Sequence, residues 1–589
     1  MRYGAFVAEA TKAGLVFARS SSYANILQYA GNGEPDASAM FARAIAASRR
    51  IYVPAGTYVL NNVNWPSNTE IFGDGDATIL KMPTAASLLI SCDSGSASVA
   101  NNIANLKMSR VQLLATCDVD GFSEHQHLVA LSGVSNVLFE DVLFKGFRGD
   151  GAYIGSGDSA GVERHNENVS FVRCRFDGIN RQNRNGISFI DINGGLVDGC
   201  VFTNCTAPNM PGPIDMEPNP SSPFAIIKNV QIQKCSFINN GGGVGEVSVQ
   251  IPATVTAPPQ NITVVDCVSS GYAGTGSFAS FNTNRVPTAS SVENDYRFIR
   301  NNVRDGNCPF IMADGKRITF DGNTFVNMKS LALVGYGGTT NVVRDIKFLN
   351  TEFIRVGTVN AIGLTICNAS YVKISKCLFS DCGTGNAGSY AIDFDAGASS
   401  FVDIEDTIIE TPTGKTLVGI VKEAAHTFTP ATNSFYRNRL NGLGNWFQAE
   451  ESDSIVTTYA PVVGGASTVG AGTYNQQTGL FYRLGKRVFF KIRLAVAAGH
   501  TGTGLIQVSL PLPAASVGPA GSMTLCPAGV NGLVTSGGVT ARLTPAASLN
   551  GVQGTLRIYA SGTGQFNQIT IPAGAFEIEC SGEYTTSAA

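Results

Sequence analysis

The sequence predicts an all-β protein: a right-handed parallel β-helix of about ten coils, followed by a small C-terminal antiparallel β-sandwich. Three observations carry this. A short motif of alternating apolar residues, then Cys or Asn, any residue and Phe, recurs at 26–35-residue intervals. Its alternation has period two, which marks strands and not helices. Charged residues make up 14% of the chain, against about 25% in an average globular protein, while glycine contributes 66 residues. That balance suits many turns. Hydrophobic content of 44% with 33 Phe fills a large core and excludes disorder.

The repeat reads as FVRCRF (Phe171–Phe176), LVDGCVF (Leu196–Phe202), IQKCSF (Ile232–Phe237), ITFDGNTF (Ile318–Phe325) and ISKCLF (Ile374–Phe379), with weaker copies ending at Phe144 and Phe353. A coil of three short strands takes about 20–35 residues, and coils stack with strands paired to the next. Equivalent positions then form ladders inside the stack. The thirteen cysteines are read as small buried hydrophobes within such ladders, because no CxxC pair or Cys/His cluster at zinc spacing occurs. Coils are expected across residues 50–410.

Ahead of the repeat, Asp36 is placed to cap a short helix whose Phe41, Ala44 and Ile45 face inward. That helix would close the open end of the solenoid. After residue 450 the Cys-x-Phe ladder stops and long alternating strands begin. The stretch YNQQTGLFYRLGKRVFFKIRLAV reads as a hairpin with turns at Gly479 and Gly485. The expected organisation is 1–30 as an adaptor or cap segment, 31–410 as the β-helix, 411–450 as a connector and 451–589 as the sandwich.

Residues 31–82, from GNGEPDASAMF through IYVPAGTY to IFGDGDATIL, resemble the entry to the pectate-lyase-like β-helix of bacteriophage tailspikes and related polysaccharide depolymerases. The C-terminal segment resembles the small β-sandwich at the end of many tailspikes. The resemblance implies a homotrimer, attachment to the phage tail or an adaptor protein through the N-terminus, and a virion location. The sandwich would aid cohesion or contact carbohydrate.

Function in a filled solenoid must lie on its outer face or between coils of neighbouring subunits. Strand register places Ile187, Ile214 and Val247 inward. Tyr153, Ser188, Asp215 and Ser248 then form one outward column, and Ile190, Glu217 and Gln250 another. Asp215 and Glu217 therefore project from one face, with Cα atoms about 6.5–7 Å apart. Two such carboxyls suit glycoside hydrolysis, one as general acid and one as base or nucleophile. The stretch RNGIS…PIDMEPN resembles a segment of polysaccharide-degrading β-helices whose acidic pair faces the glycan groove, with Pro213 where a Gly is more usual. Asp191, following Ile190, and Glu246, read as outward and diagonal to Asp215, are the additional catalytic candidates. Arg181 and Arg184, in the turn before Ile187, are candidates for holding a sugar carboxylate, and Tyr153 for stacking on a sugar ring. Asp393 and Asp395 form a rival outward pair six coils away. His125 and His127 fall on an expected loop.

The predicted function is endo-acting cleavage of a bacterial surface polysaccharide by acid/base hydrolysis, with no cofactor and no metal. Alternatives are a lyase acting by β-elimination on a uronic acid, a glycan deacetylase, and a non-catalytic receptor-binding fibre. Nucleic acid is not an expected partner, since 41 basic against 44 acidic residues leave no basic excess. No apolar run approaches the ~18 residues of a membrane span, and no signal peptide is read at the N-terminus.

Overall fold

The computed structural model describes residues 23–84, 86, 88–93, 101–157, 162–218, 222, 224–251, 259–283, 294–313, 315–335, 343–386, 388–423, 425–428, 434–442, 445–449, 457–484, 487–512, 539–549, 552–562, 565–568, 570–571 and 573–585. The adaptor segment expected at the N-terminus lies outside them through residue 22.

Helix Ser38–Ala47 follows the short strand Ala24–Asn25 and buries Met40, Phe41, Ala44 and Ile45. The Asp36 carboxylate accepts the Ser38 N–H at 2.8 Å, satisfying one of the orphan donors of the first turn. Beyond it, every coil visits three parallel sheets in fixed order. Sheets 2 and 3 hold 14 strands each and sheet 1 holds 16. The solenoid therefore has more coils than the ten expected, and it continues past residue 410. Val418–Lys422 extends sheet 3 and Arg439–Asn441 extends sheet 2, inside the segment expected to be a connector. The undercount has a physical cause. Cys and Phe mark the repeat in the sequence, but several coils fill the same positions with other residues.

The corner between sheets 1 and 2 shows the rule. It is a two-residue turn whose first residue is left-handed, as at Asp141, Arg173, Lys234, Asp266, Arg300 and Asp406. The second residue points inward, and in several coils its side chain donates to a carbonyl of the preceding coil. Cys174 Sγ donates to Phe139 O, Cys200 to Phe171 O and Cys377 to Phe348 O, each at 3.4 Å. Asn301 and Asn323 Nδ2 donate to Val264 O and Phe298 O at 3.1 and 2.8 Å, and Thr351 Oγ1 to Phe320 O at 3.4 Å. Cys, Asn and Thr are interchangeable here because each is a small donor that satisfies a buried carbonyl.

Two positions on, Phe residues stack along the axis. Phe144–Phe176, Phe176–Phe202 and Phe202–Phe237 have ring centroids 4.5, 4.7 and 5.1 Å apart. All four are fully buried. Cys174, Cys200 and Cys235 are free and buried. Burial pushes the Cys377 and Cys382 thiols up to about 12. A thiol reagent is expected to label few of the cysteines in native protein and all after denaturation; a disulfide among Cys174, Cys200 and Cys235 would break the stacking register.

The second compact unit, centred on residues 449–589, consists of two antiparallel sheets. Val463, Ile492, Leu494, Ile506, Val508 and Phe576 form a common core between them. The hairpin pairs Tyr474–Leu484 with Arg487–Val496. Gly479 is not a turn but a mid-strand residue opposite Tyr459. A Cβ there would lie 2.3 Å from the Tyr459 ring, so the glycine serves close packing. The turn expected at Gly485 falls outside the described residues.

Candidate functional site

Sheet 3 is the face on which chemistry accumulates, and the connections explain why. Corners between sheets 1 and 2 are minimal. The longer connections all border sheet 3: residues 115–126, 178–186 and 204–213 lead into it, and 155–166, 217–226 and 252–259 leave it. Its outer surface is a floor between two series of loops, where binding residues concentrate.

The outward row of this floor follows the expected register. Tyr153 pairs with Ser188, Ser188 with Asp215, Asp215 with Ser248, and Ser248 with Ser280. Ile187, Ile214 and Val247 lie inside and are fully buried. The expectation that Asp215 stands open to solvent is corrected: it is 0% exposed. Gln250 Nε2 donates to its Oδ1 at 3.4 Å, and its Oδ2 has no hydrogen-bond partner. Burial, aided by the neighbouring Glu217 charge, pushes the Asp215 carboxyl up to about 7. Glu217, two residues on, keeps a third of its side chain exposed. Burial raises it too, while Arg184 opposes the shift and Glu124 adds to it.

Arg184 joins these groups, though not as expected. Its Nη1 is 3.0 Å from Asp150 Oδ2 and its Nη2 is 3.9 Å from Glu217 Oε2. Asp150 is itself fully buried and accepts the Asn185 N–H through Oδ1 at 3.0 Å. The guanidinium is thus committed to a protein carboxylate instead of being open for a sugar carboxylate. It acts as a fixed counter-charge that keeps Glu217 ionised more readily than Asp215.

His127 also belongs here. It begins strand His127–Ser132 and does not lie on a loop. The Asp150 N–H donates to its Nδ1 at 3.0 Å. That ring nitrogen is therefore the acceptor, and the neutral imidazole carries its proton on Nε2. Burial lowers the His127 pKa and holds this form. The ring stacks on Tyr153, centroids 4.8 Å apart and planes 12° apart. Tyr153 is half-buried with one face covered, which narrows its expected role as a stacking platform.

Three expected members are not brought to the acids. Asp191 is 1% exposed and serves as a staple: Oδ2 accepts the Gly157 N–H, and Oδ1 accepts the Ile226 N–H and faces His165 Nδ1 at 2.9 Å. His165, between Asp191 and Glu163, is raised to about 9 by those hydrogen bonds. Glu246 is inside the coil. Its strand begins at a corner, where the side chain turns inward before alternation sets in. There Ser269 replaces the stacked Phe of sheet 2 and donates to the Glu246 carboxylate. At the equivalent corner one coil earlier but one, Gly186 leaves room for Phe202: a Cβ would lie 2.9 Å from that ring. The space a phenyl ring fills elsewhere holds a carboxyl here. Arg181, in left-handed conformation, donates to the Asn239 carbonyl at 3.4 Å. The rival Asp393 occupies the same outward row, above Thr365.

Sequence reasoning missed Asp150 and Glu124 and placed His127 on a loop. Asp150 and Glu124 sit on connections whose lengths vary, so no register exposes them. The signal for His127 was its position one coil before Asp150. Among the described residues no three His, Cys, Asp or Glu side chains group as a metal site.

A family model described as a right-handed beta helix region matches residues 288–455. No curated protein sequence matches the chain. Among solved structures, the tailspike protein of E. coli bacteriophage HK620 in complex with pentasaccharide is similar over 95% of this chain and 93% of its own, at 12% identity and a TM-score of 0.54. The pre-mature bacteriophage phi29 gene product 12 matches 73% of this chain and 57% of its own, at 13% identity and a TM-score of 0.50. The Dettilon tailspike protein matches 96% and 94%, at 14% identity and a TM-score of 0.41. The chain is a right-handed β-helix protein with full-length structural similarity to phage tailspike proteins.

Proposed function

We propose that this protein is a tailspike that binds a bacterial surface polysaccharide on the outer face of sheet 3 and cleaves it by glycosidic hydrolysis. The observation that supports cleavage is the division between two neighbouring carboxyls: Asp215, enclosed and raised to about 7, and Glu217, partly exposed beside Arg184. A carboxyl protonated near neutral pH is suited to donate to the glycosidic oxygen as the bond to the anomeric carbon breaks. Glu217 then takes the proton of an attacking water, or attacks the anomeric carbon itself. Strand geometry leaves both outcomes within reach of the side chains. Gln250 donates to Asp215 Oδ1 and orients the carboxyl. His127 presents a fixed Nε2–H donor on the Tyr153 side.

The complete enclosure of Asp215 favours one second reading, a receptor-binding fibre that holds glycan without cutting it. Size analysis and mass spectrometry of a host polysaccharide digest separate the two. Shortened chains with ordinary reducing ends support hydrolysis. Binding with unchanged chain length supports the fibre. An unsaturated product with ultraviolet absorbance indicates a lyase, and acetate release without shortening a deacetylase.

The proposed assembly is a homotrimer of parallel subunits in the phage tail, carried by an adaptor protein through the N-terminus. Long solenoid faces and the second unit gain burial through symmetric association. Light scattering at micromolar concentration is expected to give three times the 61.7 kDa chain mass; a monomer mass overturns this.

A further inference from the structure

We infer that Asp150 is a positioning residue of this site: it holds the Arg184 guanidinium back from Glu217 and, through that guanidinium, divides the protons between the two acids. The inference rests on the hydrolase reading above and adds to it how the site is tuned. Asp150 is 0% exposed, out of reach of a bound glycan, so it acts only through its neighbours.

The first observation is how firmly Asp150 is placed. Oδ1 accepts the Asn185 N–H at 3.0 Å, and Oδ2 accepts from Arg184 Nη1 at 3.0 Å. Its backbone N–H donates to His127 Nδ1 at 3.0 Å, and its carbonyl accepts the Leu128 N–H at 3.1 Å. The preceding Gly149 carbonyl accepts the Arg184 N–H at 3.1 Å. A Cβ on Gly149 would lie 2.9 Å from the Gln126 and Glu124 carbonyl oxygens, so only glycine lets the backbone settle this deeply. Asp150 is thus bound both to the coil before it and to the connection that carries Arg184.

The second observation is what this does to Arg184. Nη1 is occupied by Asp150 and by Ser188 Oγ at 3.3 Å. Nη2 stops 3.9 Å from Glu217 Oε2, beyond hydrogen-bond distance. Glu217 feels the cation without being locked in a paired salt bridge, and its oxygens stay available to a water or an anomeric carbon. A guanidinium released from Asp150 would close on Glu217 in a charge-assisted pair.

The third observation is the set of charges at each acid. Glu217 and Asp150 raise Asp215, and Arg184 lowers it. At Glu217, Arg184 lowers and Glu124 raises. Asp150, Arg184, His125 and Glu124 act on His127. The Asp150 charge therefore offsets part of the Arg184 charge where Asp215 sits. Removing it leaves the cation uncompensated, which favours the ionised form of both acids.

The test compares full-length parent, Asp150→Asn, Arg184→Gln and the double variant. The side chain of Asn is nearly isosteric with that of Asp, and its amide cannot accept from Arg184 and Asn185 at once. One readout is the pH dependence of shortening of the surface polysaccharide of a bacterial strain whose cells the labelled protein binds. The other is infrared titration of the Asp215 carboxyl band, identified by its loss in Asp215→Asn, which needs no turnover. In Asp150→Asn the Asp215 midpoint and both limbs of the rate profile are expected to move to lower pH, by about half a pH unit or more. In Arg184→Gln they move to higher pH, and the double variant lies between the two. Lost activity with unmoved limbs and an unmoved midpoint in Asp150→Asn marks a merely structural residue and overturns the inference, leaving the hydrolase reading standing. Should Asp150→Asn fail to fold, Arg184→Gln decides: a raised midpoint supports the inference and an unmoved one overturns it. No shortening by the parent at any pH overturns the hydrolase reading, and the infrared midpoints then judge the tuning of Asp215 by the same shifts.

Discussion

Replacing Asp215 with Asn lowers the rate of polysaccharide shortening by about 10²–10⁴-fold, the usual contribution of a positioned proton donor. Glu217→Gln has an effect of the same order. Both changes are nearly isosteric. At Asp215 the amide keeps the Gln250 contact and removes a carboxyl that burial already holds largely neutral, so the fold and assembly are retained. Glycan binding survives, because recognition is distributed along the floor. Asp393→Asn and Asp395→Asn are the controls. They lie six coils along the same row, roughly 29 Å away at about 4.8 Å per coil, and leave turnover unchanged. The pH profile adds a second readout. The rate falls as pH rises through about 7, where Asp215 loses its proton. It falls again on the acid side as Glu217 is protonated, at a value raised from the usual carboxylate range. In Asp215→Asn the alkaline limb disappears from the residual activity. Full activity in both the 215 and 217 variants, with loss in the 393 and 395 variants, would move the site to the other end of the floor.

The parts of this site that were legible in the sequence are those governed by alternation. Ile187, Ile214 and Val247 occupy one phase of short strands, and the opposite phase follows at once for Ser188, Asp215 and Ser248. Period two states which side of the sheet a residue is on. It does not state what covers that side, and so it missed the enclosure of Asp215. It also fails at strand ends. Glu246 sits one residue before Val247, and alternation places it outward, yet the corner turns it into the coil. Asp150 and His127 are separated by 23 residues and meet only because their coils stack. Arg184 was correctly placed near the acids, but its role depended on a partner that no spacing reveals. The coil number was underestimated for a related reason. Ser269 and Val303 stand in the Phe ladder and Asn301 and Thr351 in the Cys ladder, and each is equivalent through a shared volume or hydrogen bond, not through residue type.

The interior placement of Glu246 has a thermodynamic consequence that can be measured on the intact protein. Its carboxyl is fully buried, receives a hydrogen bond from Ser269 and has a second oxygen without a partner. Burial raises it from the ordinary carboxylate value of 4.5 to about 7. The native state therefore holds a proton that the unfolded chain releases between these two values. Where the native state binds more protons, stability falls as pH rises. The loss begins near 4.5, is complete above about 7 and amounts to about 3 kcal/mol, taking 1.36 kcal/mol per pH unit. Asp215 contributes a loss of the same sign over a similar window, and both act before the His165 ion pairs, whose contribution is lost only as pH rises toward about 9. Glu246→Gln removes the titrating group while keeping an acceptor for Ser269. Its thermal midpoint is expected to decline less between pH 5 and 8 than that of the parent, and to exceed the parent's at pH 8. Combining it with Asp215→Asn flattens the profile further. A Glu246→Gln variant whose midpoint falls with pH as steeply as the parent's would mean that Glu246 stays ionised inside the coil, held by a partner other than Ser269.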